Sequence, residues 1–192
     1  MLTKPSPTHP AASATQDQGA TRLFCLVLLI AASLSSSLVF ACATPFVAFA
    51  VVAAATLPLG SAVLVVLAAW LVNQVVGFGV LGYPRTIDAA AWGIAIAAAA
   101  ACATVAPSLV FGRLAAMGRI ARYPLAAIAS FAIYELGLAA AVPVLGGAEA
   151  FSPAIIGQIA LTNVIWLIGL VAVWETTRPL YGTREAFRGG EA

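Results

Sequence analysis

Nine residues hold most of the chemistry this chain has inside its apolar stretches: Trp70, Asn73 and Gln74; Tyr134 and Glu135; Gln158, Thr162, Asn163 and Trp166. Their spacing follows a helical rhythm of three and four. Trp70, Asn73, Gln74 and Gly77 share one helix face, as do Gln158, Thr162 and Trp166, and Phe131, Tyr134 and Glu135. Each face joins aromatic rings to amide, hydroxyl or carboxylate groups. Small-molecule sites have that chemistry, with apolar walls and a few placed polar groups. Glu135 stands out because a lone carboxylate in hydrocarbon costs several kcal/mol unless it is protonated or paired. It is either neutral and hydrogen-bonded, with Asn73, Gln74 or Asn163 as candidate partners, or it meets a proton or a cationic ligand. The alternative for the amides and hydroxyls is structural: Thr162, Thr104, Ser33, Ser35, Ser36 and Ser37 are of the kind that bond helices together.

Other chemistries are excluded by absence. His9 is the only histidine and precedes every apolar stretch, which removes His-based dyads and imidazole metal sites from the bundle. Cys25, Cys42 and Cys102 are scattered and read as small packing residues, so no metal or redox cofactor is expected. No Walker-type loop is present, and nothing points to nucleic acid. Gly77-Phe78-Gly79-Val80-Leu81-Gly82 matches the dinucleotide pattern GxGxxG, but that loop needs a strand before it and a helix after it. Here it lies at the end of an apolar helix, where its glycines allow close contact, local unwinding or a gate.

The elements that position these residues are membrane helices. The 192 residues are 62% hydrophobic and 8% charged, where a soluble domain carries roughly a quarter charged. The mean hydropathy is +1.04. A spanning helix needs about 20 apolar residues. Stretches of that kind run over 23–43, 61–81, 87–111 (with Pro107 bending its far end), 124–142 and 154–174. A shorter one, 46–57, is bracketed by Pro45 and Pro58. Counting it as a crossing puts Lys4, Arg22, Arg113, Arg119, Arg122, Arg178, Arg184 and Arg188 on one side and Arg85 alone on the other. Cations collect on the cytoplasmic side. The expectation is therefore an all-α, six-helix transmembrane bundle with both termini cytoplasmic, in a bacterial-type inner membrane. The short stretch must then sit deep in protein or recruit residues beyond its prolines.

In that topology Asn73 and Gln74 lie roughly 18 Å from the inner end of their span, and Glu135 at a similar depth. Gln158, Thr162 and Asn163 lie roughly 7 to 15 Å below the outer surface, so three helices are expected to deliver polar groups to one layer. Trp92 and Asp88 stand near its mouth, Trp92 equally suited to an interfacial anchor, and Arg85 and Asp88 are placed to pair. Residues 1–21 read as a disordered cytoplasmic tail, 22–176 as the membrane domain and 177–192 as a cytoplasmic C-terminal tail. A cleavable signal peptide ending at Ala41-Cys42-Ala43 is the rival reading of the start.

This architecture over residues 22–176 resembles the substrate-binding S-component of the energy-coupling factor vitamin transporters. The resemblance implies a small-molecule ligand in the outer half of the bundle, bound among the nine residues above. It also implies docking onto a transmembrane coupling protein with paired cytoplasmic ATPases, and no catalysis by this chain. Members carry an Ala-xxx-Ala stripe on the first helix; here the nearest match is Ala31 with Ser35 and Ala32 with Ser36. Lack of histidine argues against the cobalt and nickel members. Competing expectations are a membrane assembly protein with no ligand, a passive or ion-coupled carrier and, last, a membrane enzyme using Glu135.

Overall fold

The computed structural model describes the backbone of residues 10–40 and 44–188 and the side chains of residues 19–37 and 44–177. The Ala41-Cys42-Ala43 reading lies outside the described residues. The described chain is helical, without a strand, in the order α1 (Pro10–Phe40), α2 (Phe46–Thr56), α3 (Leu59–Gly79), α4 (Ile87–Arg113), α5 (Arg119–Ala139), a short α6 (Val142–Leu145), a 3-10 turn (Ala148–Phe151) and α7 (Pro153–Arg188). Five segments are long and apolar enough to cross a membrane: Gly19–Ser37, Leu59–Gly79, Ile87–Arg113, Arg119–Leu145 and Pro153–Thr177. The chain is thus a multi-pass membrane bundle. α1 begins at Pro10, within the stretch assigned to the N-terminal tail, and α7 runs to Arg188, within the C-terminal one.

α2 is the centre of the fold. Its 11 residues, Phe-Val-Ala-Phe-Ala-Val-Val-Ala-Ala-Ala-Thr, are apolar on every side, and such a helix must be surrounded. Phe46 through Ala54 are all buried. Pro58 ends the helix by forcing the preceding residue out of helical conformation, and Leu57 is extended at φ −129°, ψ 153°. Around it stand α1, α3, α4, α5 and α7 in that order. α4 and α5 pack most closely, and a Cβ on Gly137 would meet the Cβ of Ala99 at 3.1 Å. α7 differs from the rest: it packs along α2, but its backbone hardly approaches α1 or α5.

Side-chain bonds fix the directions. Ser33 Oγ donates to the carbonyl of Ala69 (2.8 Å), and one turn further along both helices Asn73 Nδ2 donates to Ser37 Oγ (2.9 Å). α1 and α3 therefore run parallel. α2 runs back between them, from Thr44, held by Asn73 (2.7 Å), to Thr56, whose hydroxyl lies 3.5 Å from Cys25 Sγ. A hairpin that entered and left by the same face would have made α1 and α3 antiparallel.

Charges separate by end. Arg22, Arg113, Arg119 and Arg122 share one end with Glu175, which pairs with Arg119 (2.7 Å) and accepts from Tyr123 (3.2 Å). Arg85, Asp88 and Glu149 lie at the opposite end. The expected Arg85–Asp88 pair is not formed; the guanidinium reaches the Phe78 carbonyl at 3.4 Å.

Pro107 leaves α4 continuous from Ile87 to Arg113. A proline lacks the N–H that would bond the carbonyl four residues back, here Ala103, and membrane interiors offer no water in its place. Ser130 Oγ of α5 supplies the missing donor at 2.9 Å. The glycine pattern after Val76 is a helix end: Leu81 N–H returns to Val76 O, Tyr83 N–H to Gly77 O (3.0 Å), and Gly82 sits at φ +71°. The Tyr83 ring folds onto Gly77, where any Cβ would overlap it.

Candidate functional site

The nine expected site residues fall into three groups, separated by α2. The first lies on the seams of α3. Asn73, 7% exposed, donates to Ser37 Oγ and Thr44 Oγ1 and accepts from Gln74 Nε2 (3.2 Å). Its amide is fully engaged in holding the entry of α2 against α1 and α3. Trp70 Nε1 donates to the carbonyl of Gly93 (2.9 Å) on α4, and the Gln74 carbonyl oxygen fills the space beside the same glycine, 2.8 Å from where a Cβ would stand.

The second group surrounds the N-terminus of α2. The first amides of a helix have no partner within it. Asn163 of α7 supplies one from another helix: its Oδ1 accepts from Ala48 N–H at 3.0 Å, while its Nδ2 donates to Ile159 O (2.9 Å). Thr44 O takes the Phe46 N–H at 2.9 Å. The Tyr134 ring packs beside Phe46, with centroids 6.5 Å apart. Glu135 stands next to Tyr134 on α5, and its Oε1 is buried with no hydrogen-bond partner among the described residues.

The third group lines an open space. Gln158, Thr162 and Trp166 face a groove of about 650 Å³ between α7 and α1, closed on the far side by Leu28, Ala31, Ala32 and Ser35. Small residues on α1, and Gly169 on α7, make that room. A smaller groove of about 300 Å³ lies on the other flank of α7, against α5, floored by Val47 and Ala48 of α2; Asn163 is its polar lining residue.

The expected single polar layer is thus divided. Asn73 with Gln74 and Gln158 with Thr162 and Trp166 form separate sets, and Asn163 lines the second groove, of which Glu135 is not a lining residue. Ser37, expected as a helix-bonding hydroxyl, engages Asn73 across α1 and α3; reasoning from spacing missed Thr44, the second hydroxyl on Asn73, and the Ser130–Ala103 bond. Pro107 was the signal for the last, since its missing donor names the carbonyl to be satisfied. Trp92 packs at Gly147, where a Cβ would meet its ring at 3.4 Å. Among the described residues no three His, Cys, Asp or Glu side chains gather to hold a metal. Comparisons with protein-family models, with curated proteins and with solved structures returned no match for this chain.

Proposed function

We propose that this chain is the substrate-binding membrane subunit of a small-molecule uptake system, with its ligand in the groove between α1 and α7. The observation that carries the reading is that groove. Its volume of about 650 Å³ falls in the range of small-molecule sites, roughly 300 to 1,000 Å³. One face of α7 presents to it an amide, a hydroxyl and an indole ring, at Gln158, Thr162 and Trp166. The ring suits a planar ligand and the amide its polar edge. Because the chain has no nucleotide loop, the energy for uptake would come from a coupling protein with cytoplasmic ATPases, or from an ion gradient.

The topology under this reading has six crossings and both termini cytoplasmic, in a bacterial-type inner membrane. The parallel run of α1 and α3 supports α2 as a full return of the chain, and the basic end supports the orientation. Single cysteines at Ala20, Gly60 and Gly82 in an otherwise cysteine-free chain test it. An impermeant maleimide applied to intact cells should reach Gly82→Cys and spare both Ala20→Cys and Gly60→Cys. Labelling that separates Ala20 from Gly60 would remove α2 from the list of crossings.

A second reading, an assembly protein with no ligand, is favoured by the engagement of Asn73 and Asn163 in helix packing. Native mass spectrometry of full-length protein extracted gently from cells separates the two. A stoichiometric small molecule is expected on the wild type. Its occupancy should fall at least ten-fold when Thr162→Trp or Ser35→Trp fills the groove, with helix content unchanged. A wild-type protein free of any bound compound, or a compound indifferent to both variants, would favour assembly.

A further inference from the structure

We propose that the ligand of the α1–α7 groove is a neutral, lipid-soluble ring compound with two carbonyls and a hydrocarbon tail, a quinone in chemical class, and that it enters from the bilayer rather than from water. This rests on the assignment of that groove as the ligand site and adds what the ligand is and how it arrives.

Two lining residues carry hydrogen-bond donors that nothing engages. Thr56, Thr104, Thr176 and Thr177 each return the hydroxyl to a carbonyl of their own helix. Thr162 makes no such bond, and Trp166 Nε1 likewise has no partner among the described residues. Neither atom is among the buried groups left without a partner, which are Arg122 Nε, Glu135 Oε1 and Trp174 Nε1. Both half-buried residues therefore keep an accessible donor, and both line the groove. An indole N–H only donates, so what meets it must carry an acceptor. Across the groove Ser35 spends its proton on Ala31 O (2.8 Å) and competes for none of this.

Depth selects the occupant. Trp166 lies about 20 Å along α7 from Pro153, and Thr162 about 13 Å. The hydrocarbon core is about 30 Å thick, so the indole sits near its middle, where no water serves it. The ester carbonyls of bilayer lipids stay at the interface, short of that level. The acceptor must therefore belong to a molecule able to enter hydrocarbon. The way in is open: only 11% of the apolar stretch of α7 is buried inside the protein, and Leu161, Ile165 and Val173 on the groove are exposed.

Charge and shape narrow it further. No lining residue is charged, so an ionised ligand would lie in hydrocarbon without a counter-charge. Thr162 and Trp166 are one turn apart, about 6 Å along the axis, and a flat ring with carbonyls on opposite edges offers acceptors to both. Gln158, one turn further out and exposed, meets polar substituents on the ring. Below Trp166 the lining turns apolar, with Leu170 and Val173 facing Leu28 of α1, which suits a hydrocarbon tail.

Decylubiquinone, whose fully substituted ring spares thiols, and decylbenzene, which has the tail without carbonyls, test this with full-length protein in phosphatidylcholine nanodiscs. Radiolabelled compound retained by captured protein discs, less that in empty discs, gives saturable binding. The wild type is expected to hold one decylubiquinone per chain, at least ten-fold more tightly than decylbenzene at equal content in the lipid. Thr162→Val with Trp166→Phe removes both donors and keeps the shape. It should bring the quinone to the level of decylbenzene with helix content unchanged, and Thr162→Trp should abolish retention of both. Equal retention by the wild type, or a preference that survives the double variant, overturns the proposal. Failure of the uptake reading is separate: the cell-extracted chain would carry no compound while the quinone still saturates the discs. A water-soluble compound on the cell-extracted chain, lost in Thr162→Trp, with no quinone preference in the discs, keeps the groove assignment and removes the quinone.

Discussion

Asn163→Ala is expected to lower the stability of the bundle by about 2–3 kcal/mol, well above the usual effect of losing an interhelical hydrogen bond in a membrane. Such bonds average about 0.6 kcal/mol, because a polar side chain released from one partner commonly finds another. The acceptor removed here serves a backbone donor, Ala48 N–H, in the first turn of a helix buried on all sides. That donor has no residue four back within the helix to bond, and alanine at position 163 leaves no oxygen in reach. A buried unsatisfied donor costs about 1–3 kcal/mol. The same bond also joins α7 to α2, the one helix along which α7 packs extensively. The measurement is reversible unfolding in mixed micelles by dodecyl sulfate titration, followed by far-ultraviolet circular dichroism. Thr176→Ala is the control, since that exposed hydroxyl bonds only carbonyls of its own helix. It should stay within about 0.5 kcal/mol of the wild type. An Asn163 variant no less stable than the control would mean that water or a backbone adjustment satisfies Ala48.

The apolar stretches were legible because lipid imposes a coarse rule on composition, and the helices follow it within a few residues at most of their ends. The short stretch between Pro45 and Pro58 was legible for a second reason. A segment apolar on all sides, too short to span and fenced by prolines, has to be wrapped in protein, and α2 is. What each polar face looks at was not legible, and α2 explains why. Periodicity shows that Trp70, Asn73 and Gln74 share a face; it does not show what that face looks at. Were the bundle hollow, inward faces would meet one another across the axis. With a helix on the axis, each meets α2 or a neighbouring seam instead. Asn73 turns to Thr44, Trp70 to Gly93, and Asn163 to Ala48. The groove residues Gln158, Thr162 and Trp166 remain open because they lie on the flank of α7 where contact with α1 lapses.

That central role makes α2 the place where packing loss should be greatest, and Phe49→Ala is expected to cost about 3–5 kcal/mol. Phe49 has no exposed surface and is the largest of the fully buried side chains. Its ring stands edge-on to Phe46, with centroids 6.0 Å apart and planes at 90°. Inside a membrane the loss is not one of water exclusion, since lipid tails are as apolar as the core. It is the dispersion contacts of a ring with no replacement atoms on any side. Two features restrain collapse into the void. α2 is fixed at both ends, by Pro45 with the Asn73–Thr44 bond and by Pro58, so it cannot slide along its axis. The surrounding faces are rich in alanine, with Ala62, Ala69, Ala99, Ala100 and Ala103 all buried, and alanine has no rotamer with which to reach inward. Leu64→Ala on α3 is the matched control: Leu64 is 56% exposed, and lipid chains can flow into the space it leaves. In the same titration the Phe49 variant should lose several times what the Leu64 variant loses. Comparable losses would mean that the five long helices cohere without their axial helix.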